Sequence, residues 1–307
     1  MKCGEAEDTS CSQRGAGMSA QSIGNAIANP AAYIDLDVYP LDGREPDRYD
    51  AVIDTARAQL AADGCCVLPG FVRATALPAL VNEADAVAGH AHRSFNRTNA
   101  YFSEDDPRLP EDDPRRRFYD RSNAFVPADH FGPDSGLRAI YEYAPFQHFI
   151  RTALGALDFY RYADPLADVI INMVEEGEGF PWHFDTNNFT VTLAIQNGGS
   201  GGVFEYALGL RSSKDECFDA VADVLDGRSD RVKSLNLVPG DLQIFKGRYS
   251  LHRVTPVTGT RRRYVGIFSF VETEGMVGSV ERTRQLYGRV LPIHLERAGM
   301  RGDRLKD

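Results

Sequence analysis

His183 and Asp185 stand two residues apart in "PWHFDTNNFTVTLAIQN", at the head of a segment in which Thr and Val alternate. In an extended strand, residues i and i+2 point to one face. An imidazole nitrogen and a carboxylate oxygen therefore aim together while Phe184 turns away. Those two groups are adjacent corners of a metal site. An HxD pair alone is common and most often makes a surface or core hydrogen bond, so the reading needs a third donor from a distant strand.

The other histidines are 90, 92, 130, 148, 252 and 294. His252 stands out because it lies in "SLHRVTPV", after a Gly turn and before another β-rich segment. His90 and His92 share the i, i+2 spacing, but they sit at an expected helix end beside Arg93 and read as exposed. Two histidines and one carboxylate on one face, with other coordination positions open, are the ligand set of non-haem Fe(II) oxygenases. Open iron positions need a reductant to activate O2. 2-Oxoglutarate is a common one: its keto-acid end chelates the metal, and its far carboxylate needs a fixed cation. Arginine suits that task because its planar fork grips a carboxylate bidentately and stays charged. "GTRRR" supplies Arg261, Arg262 and Arg263 about ten residues after His252, with Arg261 and Arg263 on one strand face. Three arginines on a solvated strand edge are the ordinary alternative.

The elements that must position these groups follow from pattern. A helix is expected from about Pro46 to Ala62, closed by Gly64, then a short strand in "CCVLPGFV" and a helix from about Thr75 to Ala91. Residues 93–135 are dense in Pro, Asp and Arg and read as a long surface excursion, a lid or a linker. "GLRAIYEYAPFQHFIRTALG" reads as helical, interrupted by Pro145. From about Asp168 the texture turns β, in short β-branched or aromatic runs punctuated by Gly, Asn or Pro. "GGSGG" reads as a hairpin turn, since no Lys-Ser/Thr and no helix follows it. A helix from about Asp215 to Leu225 interrupts the strands. The result is an α+β chain with N-terminal helices packed on an antiparallel barrel or jelly roll. Residues 1–30 are expected to be a disordered tail and 31–307 one domain, with the β core at about 168–272 and a helical and loop cover at 46–160.

The bulk composition narrows the function. Of 307 residues, 43% are hydrophobic and 25% charged, ordinary for a soluble globular chain. The net charge of −10 disfavours nucleic acid and anionic membrane as partners. No apolar run reaches the length of a membrane span, and the N-terminus lacks the apolar core of a secretory signal. Five cysteines without CxxC spacing argue against a disulfide framework and for a cytoplasmic setting.

The combination of His183-Phe184-Asp185, His252 in "LHRVTPV" and "GTRRR" resembles the Fe(II)/2-oxoglutarate-dependent dioxygenases, across about residues 168–272. "DGCCVLPGFV" is similar to the strand and turn with which many of them open. The resemblance implies a double-stranded β-helix of cupin type, with His183, Asp185 and His252 as iron ligands and O2 as the oxidant. It implies Arg263 or Arg261 as the anchor of the 2-oxoglutarate C5 carboxylate. The longer offset from the distal histidine favours Arg263, and a Gly-x-Arg pattern favours Arg261. The texture "HFDTN…GGVFEY…HRVTPV" resembles bacterial enzymes that hydroxylate or halogenate free amino acids and other small metabolites. The halogenases replace the metal-binding Asp with a small residue, so Asp185 implies hydroxylation or a related oxidation.

Further residues carry two readings each. Asn172 and Thr192 face the cofactor or serve the strand ladder. Trp182 packs or touches substrate. Asn187 lines the mouth or makes a turn. Arg121 and Asn123 reach a substrate carboxylate if the 93–135 excursion folds over the barrel. A small-molecule substrate is expected, and a homodimer is left open. The rival readings are a cupin-like metal-binding module without turnover, and an oxygenase acting on protein.

Overall fold

The computed structural model describes residues 28–297. The expected N-terminal tail lies, except for residues 28–30, outside them. Helix α1 (Pro46–Asp63) opens with a proline, whose fixed φ suits a first helical turn, and closes on Gly64 at φ 60°. Strand β1 (Cys65–Leu68) follows, then α2 (Leu77–Val87), β2 (His92–Thr98), β3 (Tyr119–Val126), α3 (Gly136–Glu142) and α4 (Ala144–Leu154). The β-rich half contains β4 (Tyr160–Arg161), β5 (Val169–Val174), β6 (Phe180–His183), β7 (Thr190–Gln196), β8 (Ser200–Gly201) and β9 (Phe204–Ala207). After α5 (Phe218–Leu225) come β10 (Val232–Leu235), β11 (Leu242–Phe245), β12 (Leu251–Val254), β13 (Val257–Thr258) and β14 (Arg263–Val271). Two short helices, α6 (Val280–Tyr287) and α7 (Pro292–Glu296), end the described chain.

Two antiparallel sheets face each other. The larger runs β1-β11-β7-β14-β5-β3-β2, with β4 beside β14; the smaller runs β10-β9-β12-β6. A two-stranded ribbon pairs β8 with β13, so "GGSGG" is not the expected hairpin turn: Ser200–Gly201 is itself a short strand, and β7 and β9 on either side of it lie in different sheets. This is the expected jelly roll. Helices α1 to α4 cover the outer face of the larger sheet. There Phe146 and Phe149 meet Val191, Leu193, Tyr264, Phe268 and Phe270 in one buried cluster. Each fully buried ring of this kind stabilises the fold by roughly 1.5–3 kcal/mol.

The segment 93–135 differs from expectation. It contributes β2 and β3 to the larger sheet, with Ser94 opposite Asn123 and Asn96 opposite Arg121. The reason is chemical: the residues that alternate onto one face of this hairpin are polar, so the hydrophobic alternation that marks a strand is missing. The break at Pro145 falls as expected, and Pro145 occupies the first turn of α4.

Candidate active site and metal centre

The smaller sheet brings the two histidines together directly: His252 on β12 pairs with His183 at the end of β6. Their ring centroids are 4.1 Å apart and both side chains are buried. Asp185 lies just beyond β6, where its N–H donates to Gly247 O at 3.2 Å. Its Oδ1 stands 3.3 Å from His252 Nε2 and 3.8 Å from His183 Nε2. Each imidazole turns Nδ1 to a backbone carbonyl, His183 to Pro181 O at 2.8 Å and His252 to Ser250 O at 3.0 Å. A carbonyl only accepts, so Nδ1 carries the proton and each Nε2 keeps a lone pair toward Asp185. Backbone carbonyls in this role orient metal-binding histidines.

The carboxylate is held as firmly. Thr190 Oγ1 donates to Asp185 Oδ2 at 2.6 Å, leaving Oδ1 for the metal. Gly247 lies against the same group: a Cβ there would come within 2.6 Å of Asp185 Cγ. Burial alone would raise the Asp185 pKa, but His252, His183 and the Thr190 hydroxyl outweigh it and hold the carboxyl below its usual range. Burial, followed by the neighbouring His252, lowers the His183 pKa well below its ordinary value, so this ring stays neutral. The three donor atoms lie within 4.8 Å of one another, and they form the one such metal-holding group among the described residues. Two neutral imidazoles and one carboxylate fit Fe(II).

Arg263 opens β14 on the inner face, in alternation with Ile267 and Ser269, which line the chamber beside the metal centre. It is buried, and among the described residues no carboxylate pairs with it. Burial pushes its guanidinium down to about 10. Its stem packs on Gly202, where a Cβ would meet Arg263 Cδ at 2.9 Å. Arg261, in contrast, precedes the strand and is exposed, donating to Gly198 O at 2.8 Å. The two arginines therefore do not share a strand face. Asn172 is buried on β5 in register with Val265, and its amide points to Ala124 O at 3.4 Å. Thr192 donates to Gln243 Oε1 at 2.9 Å.

A cavity of about 420 Å³ opens beside the ligands, lined among others by Phe102, Phe180, Asn187, Arg282 and Tyr287. The sequence reading did not include α6, which supplies much of one wall. That wall is fastened from below: Asp164, itself lining the cavity, accepts from His294 Nε2 at 3.0 Å and Gly278 N at 2.8 Å. Phe102 was missed as well. It sits at φ 54°, where bulky residues are rare. Asn99 clamps that turn, accepting from Tyr101 N and Ser103 N and donating to Ser103 and Arg115. A buried Asn followed by an aromatic turn was the available signal. Trp182 turns the other way, into a cluster with Phe184 and Val221, under the Arg253 guanidinium at 4.7 Å. Arg121 and Asn123 lie on β3 behind the cavity wall, with Arg121 Cζ 4.4 Å from the Phe180 ring centroid. The Phe180 ring is also stacked on His183 at 3.6 Å.

A jelly roll holding two histidines and a carboxylate, with a buried arginine on the inner face, defines the Fe(II)/2-oxoglutarate oxygenase class. Residues 49–287 match the family model "Halogenase D", so the chain belongs to that family. No curated protein matches the sequence. Among solved structures, the non-haem α-ketoglutarate-dependent epimerase SnoN of nogalamycin biosynthesis is similar at TM-score 0.51 and 13% identity, over 73% of this chain and 84% of that one. AviO1 from Streptomyces viridochromogenes Tue57 is similar at TM-score 0.50 and 13% identity, over 73% and 97%. A 2OG-Fe(II) oxygenase family member from Burkholderia pseudomallei gives 0.47 and 13%, over 73% and 92%. At this identity the structural likeness speaks to the fold.

Proposed function

We propose that the protein uses Fe(II), 2-oxoglutarate and O2 to hydroxylate an unactivated C–H bond of a small molecule, a free amino acid or a biosynthetic intermediate. His183, Asp185 and His252 would hold the metal, and Arg263 the far carboxylate of 2-oxoglutarate. Bound there, the metal would activate O2 with 2-oxoglutarate as the two-electron reductant, so that one oxygen atom enters the substrate, the other leaves in succinate, and CO2 is released. The chain's own part is to orient the ligand rings through Pro181 and Ser250, to hold Asp185 through Thr190, and to keep water from the chamber with Phe102 and Phe180. Asn172 and Thr192 would support the co-substrate from the inner sheet face. Asn187, Arg121 and Asn123 would contribute to substrate recognition. The unpaired cysteines of the described chain fit a cytoplasmic setting.

The observation that carries the reading is Asp185, present and anchored, in a member of the Halogenase D family. A halogenase needs that coordination position for chloride. The test is succinate formation across free amino acids and their derivatives, with Fe(II), 2-oxoglutarate and either chloride or a chloride-free buffer. Product that gains one oxygen, at the same rate in both buffers, is expected. Chlorinated product, or no iron-dependent succinate with any substrate, would refute it.

A further inference from the structure

The insertion between β9 and β10 carries α5, and an arginine near its start reaches the metal centre from behind. Arg211 is 3% exposed, and a charged side chain so deeply buried is rare unless it is paired and bonded. Its contacts converge on two stretches of chain. Its Nε donates to Arg248 O at 2.6 Å and its backbone N–H to Tyr249 O at 3.3 Å. Its guanidinium lies 4.1 Å from the centroid of the Phe184 ring, and Phe184 is the residue between His183 and Asp185. Glu216, just before α5, faces Arg211 Nη1 at 3.3 Å. Arg248 continues the brace. It is 1% exposed, and its Nη1 donates to Thr186 O at 2.7 Å, next to Asp185. The chamber is lined by Asp185 and Thr186 but by neither arginine.

The turn at 247–250 shows what this arrangement does. Its four consecutive carbonyls are divided between the ligands and Arg211. Gly247 O accepts from Asp185 N–H, and Ser250 O orients His252 through Nδ1. The two carbonyls between them, of Arg248 and Tyr249, accept from Arg211. Phe184 serves the other stretch. Its ring points opposite to the two ligands that flank it, so a rotation of this segment about its own axis moves both ligands together. A ring held on the far side stops that rotation. Arg211 holds it from one direction, while the Tyr101 ring at 5.4 Å and the Phe184 N–H bond to Ala100 O at 3.0 Å hold it from another. We infer that Arg211 and Arg248 are positioning residues of the metal centre: together they fix, from the side turned away from the metal, the backbone that presents His183, Asp185 and His252. The reading rests on the proposed function, and it gives the α5 insertion the role of a brace.

The test measures metal binding by the full chain under nitrogen. Fe(II) is titrated against a chromophoric chelator, and the visible spectrum of the Co(II)-saturated protein reports the geometry of the ligands. Arg211→Met keeps an apolar stem on Phe184 and removes the side-chain donor to the turn. It is expected to raise the Fe(II) dissociation constant about 10–100-fold, the effect of losing a group that orients metal ligands, and to change the Co(II) spectrum. Arg248→Met is expected to do the same by about tenfold. Arg211→Lys keeps the charge beside Glu216 but lacks the planar fork. It is expected to fold like the parent and to weaken Fe(II) by about tenfold, and it carries the test where Arg211→Met does not fold. Arg253→Met is the matched control. Arg253, on β12 of the same sheet, donates to Glu205 at 2.6 Å and lies over the Trp182 ring. Its loss removes an ion pair and a ring contact of the same kind, half-exposed to solvent, and Fe(II) affinity is expected to stay within about twofold.

Parent-like iron affinity and Co(II) spectrum in folded Arg211→Lys and Arg248→Met would overturn the inference. A lower affinity with an unchanged Co(II) spectrum overturns it too, because the ligands then keep their places without the brace. So does an equal loss in Arg253→Met, the result of a general loosening of the smaller sheet. A parent protein that retains no Fe(II) sinks the proposed function itself, and that outcome is read on the parent alone, before any variant is compared.

Discussion

Gly247→Ala places one methyl group against a single functional atom set. The new Cβ would come within 2.6 Å of Asp185 Cγ, where ordinary contact begins near 3.4 Å, and closer still to Oδ2. Gly247 does not have positive φ, so alanine meets no backbone penalty there. The strain must be relieved by Asp185. Its carboxylate can turn only by leaving the 2.6 Å bond from Thr190 and the 3.3 Å approach to His252 Nε2. A hydrogen bond to a charged group contributes about 1.5–3 kcal/mol, and loss of a group that orients a metal ligand lowers affinity about 10–100-fold. The expected outcome is therefore an Fe(II) dissociation constant raised by one to two orders of magnitude (on the order of 1.4–2.7 kcal/mol). An anaerobic Fe(II) titration against a chromophoric chelator measures it, with thermal melting of the metal-free protein as the control for folding. Thr190→Val, which keeps the shape and removes the hydroxyl, should lose about tenfold for the same reason. Parent-like iron affinity in Gly247→Ala would refute the role given to Asp185.

Arg263→Gln should raise the KM for 2-oxoglutarate roughly 30-fold or more and leave Fe(II) affinity unaltered, while Arg261→Gln should stay within about twofold; steady-state succinate kinetics separate the two. His183→Ala and His252→Ala should each abolish iron retention after desalting, read by elemental analysis, with folding checked by circular dichroism. Asn99→Ala removes the clamp on the Phe102 turn and should cost about 1–3 kcal/mol of stability, measured by urea unfolding. His294→Ala removes one of the donors to the buried Asp164, the others including Gly278 N and Leu166 N, and should destabilise the fold by about 1.5–3 kcal/mol, with cleavage by a nonspecific protease appearing first within 277–297.

The His183, Asp185 and His252 cluster was legible because its two parts obey local rules. His183 and Asp185 declare themselves by spacing, and His252 by its strand context. The helices were legible from Pro46, Gly64 and Pro145, which mark ends by backbone geometry alone. The β2–β3 hairpin was not. Its inward residues are Ser94, Asn96, Arg121 and Asn123, so the alternation that reveals a strand reads as a polar loop. The roles of Thr190 and Gly247 were hidden for another reason. Gly247 acts through a loop from β6 meeting the turn after β11, a contact that no local pattern encodes, and Thr190 reaches Asp185 across a five-residue loop whose shape the strand alternation does not show. The order of Arg261 and Arg263 turned on where β14 starts, and a boundary shift of two residues decides which arginine is buried.

The histidines sit opposite each other on β6 and β12 of the smaller sheet, while one wall of the cavity beside them comes from α6, close to the end of the described chain. The two histidines and that wall thus belong to different stretches of polypeptide, so substitutions in α6 can reshape the cavity while leaving the pairing of β6 with β12 untouched.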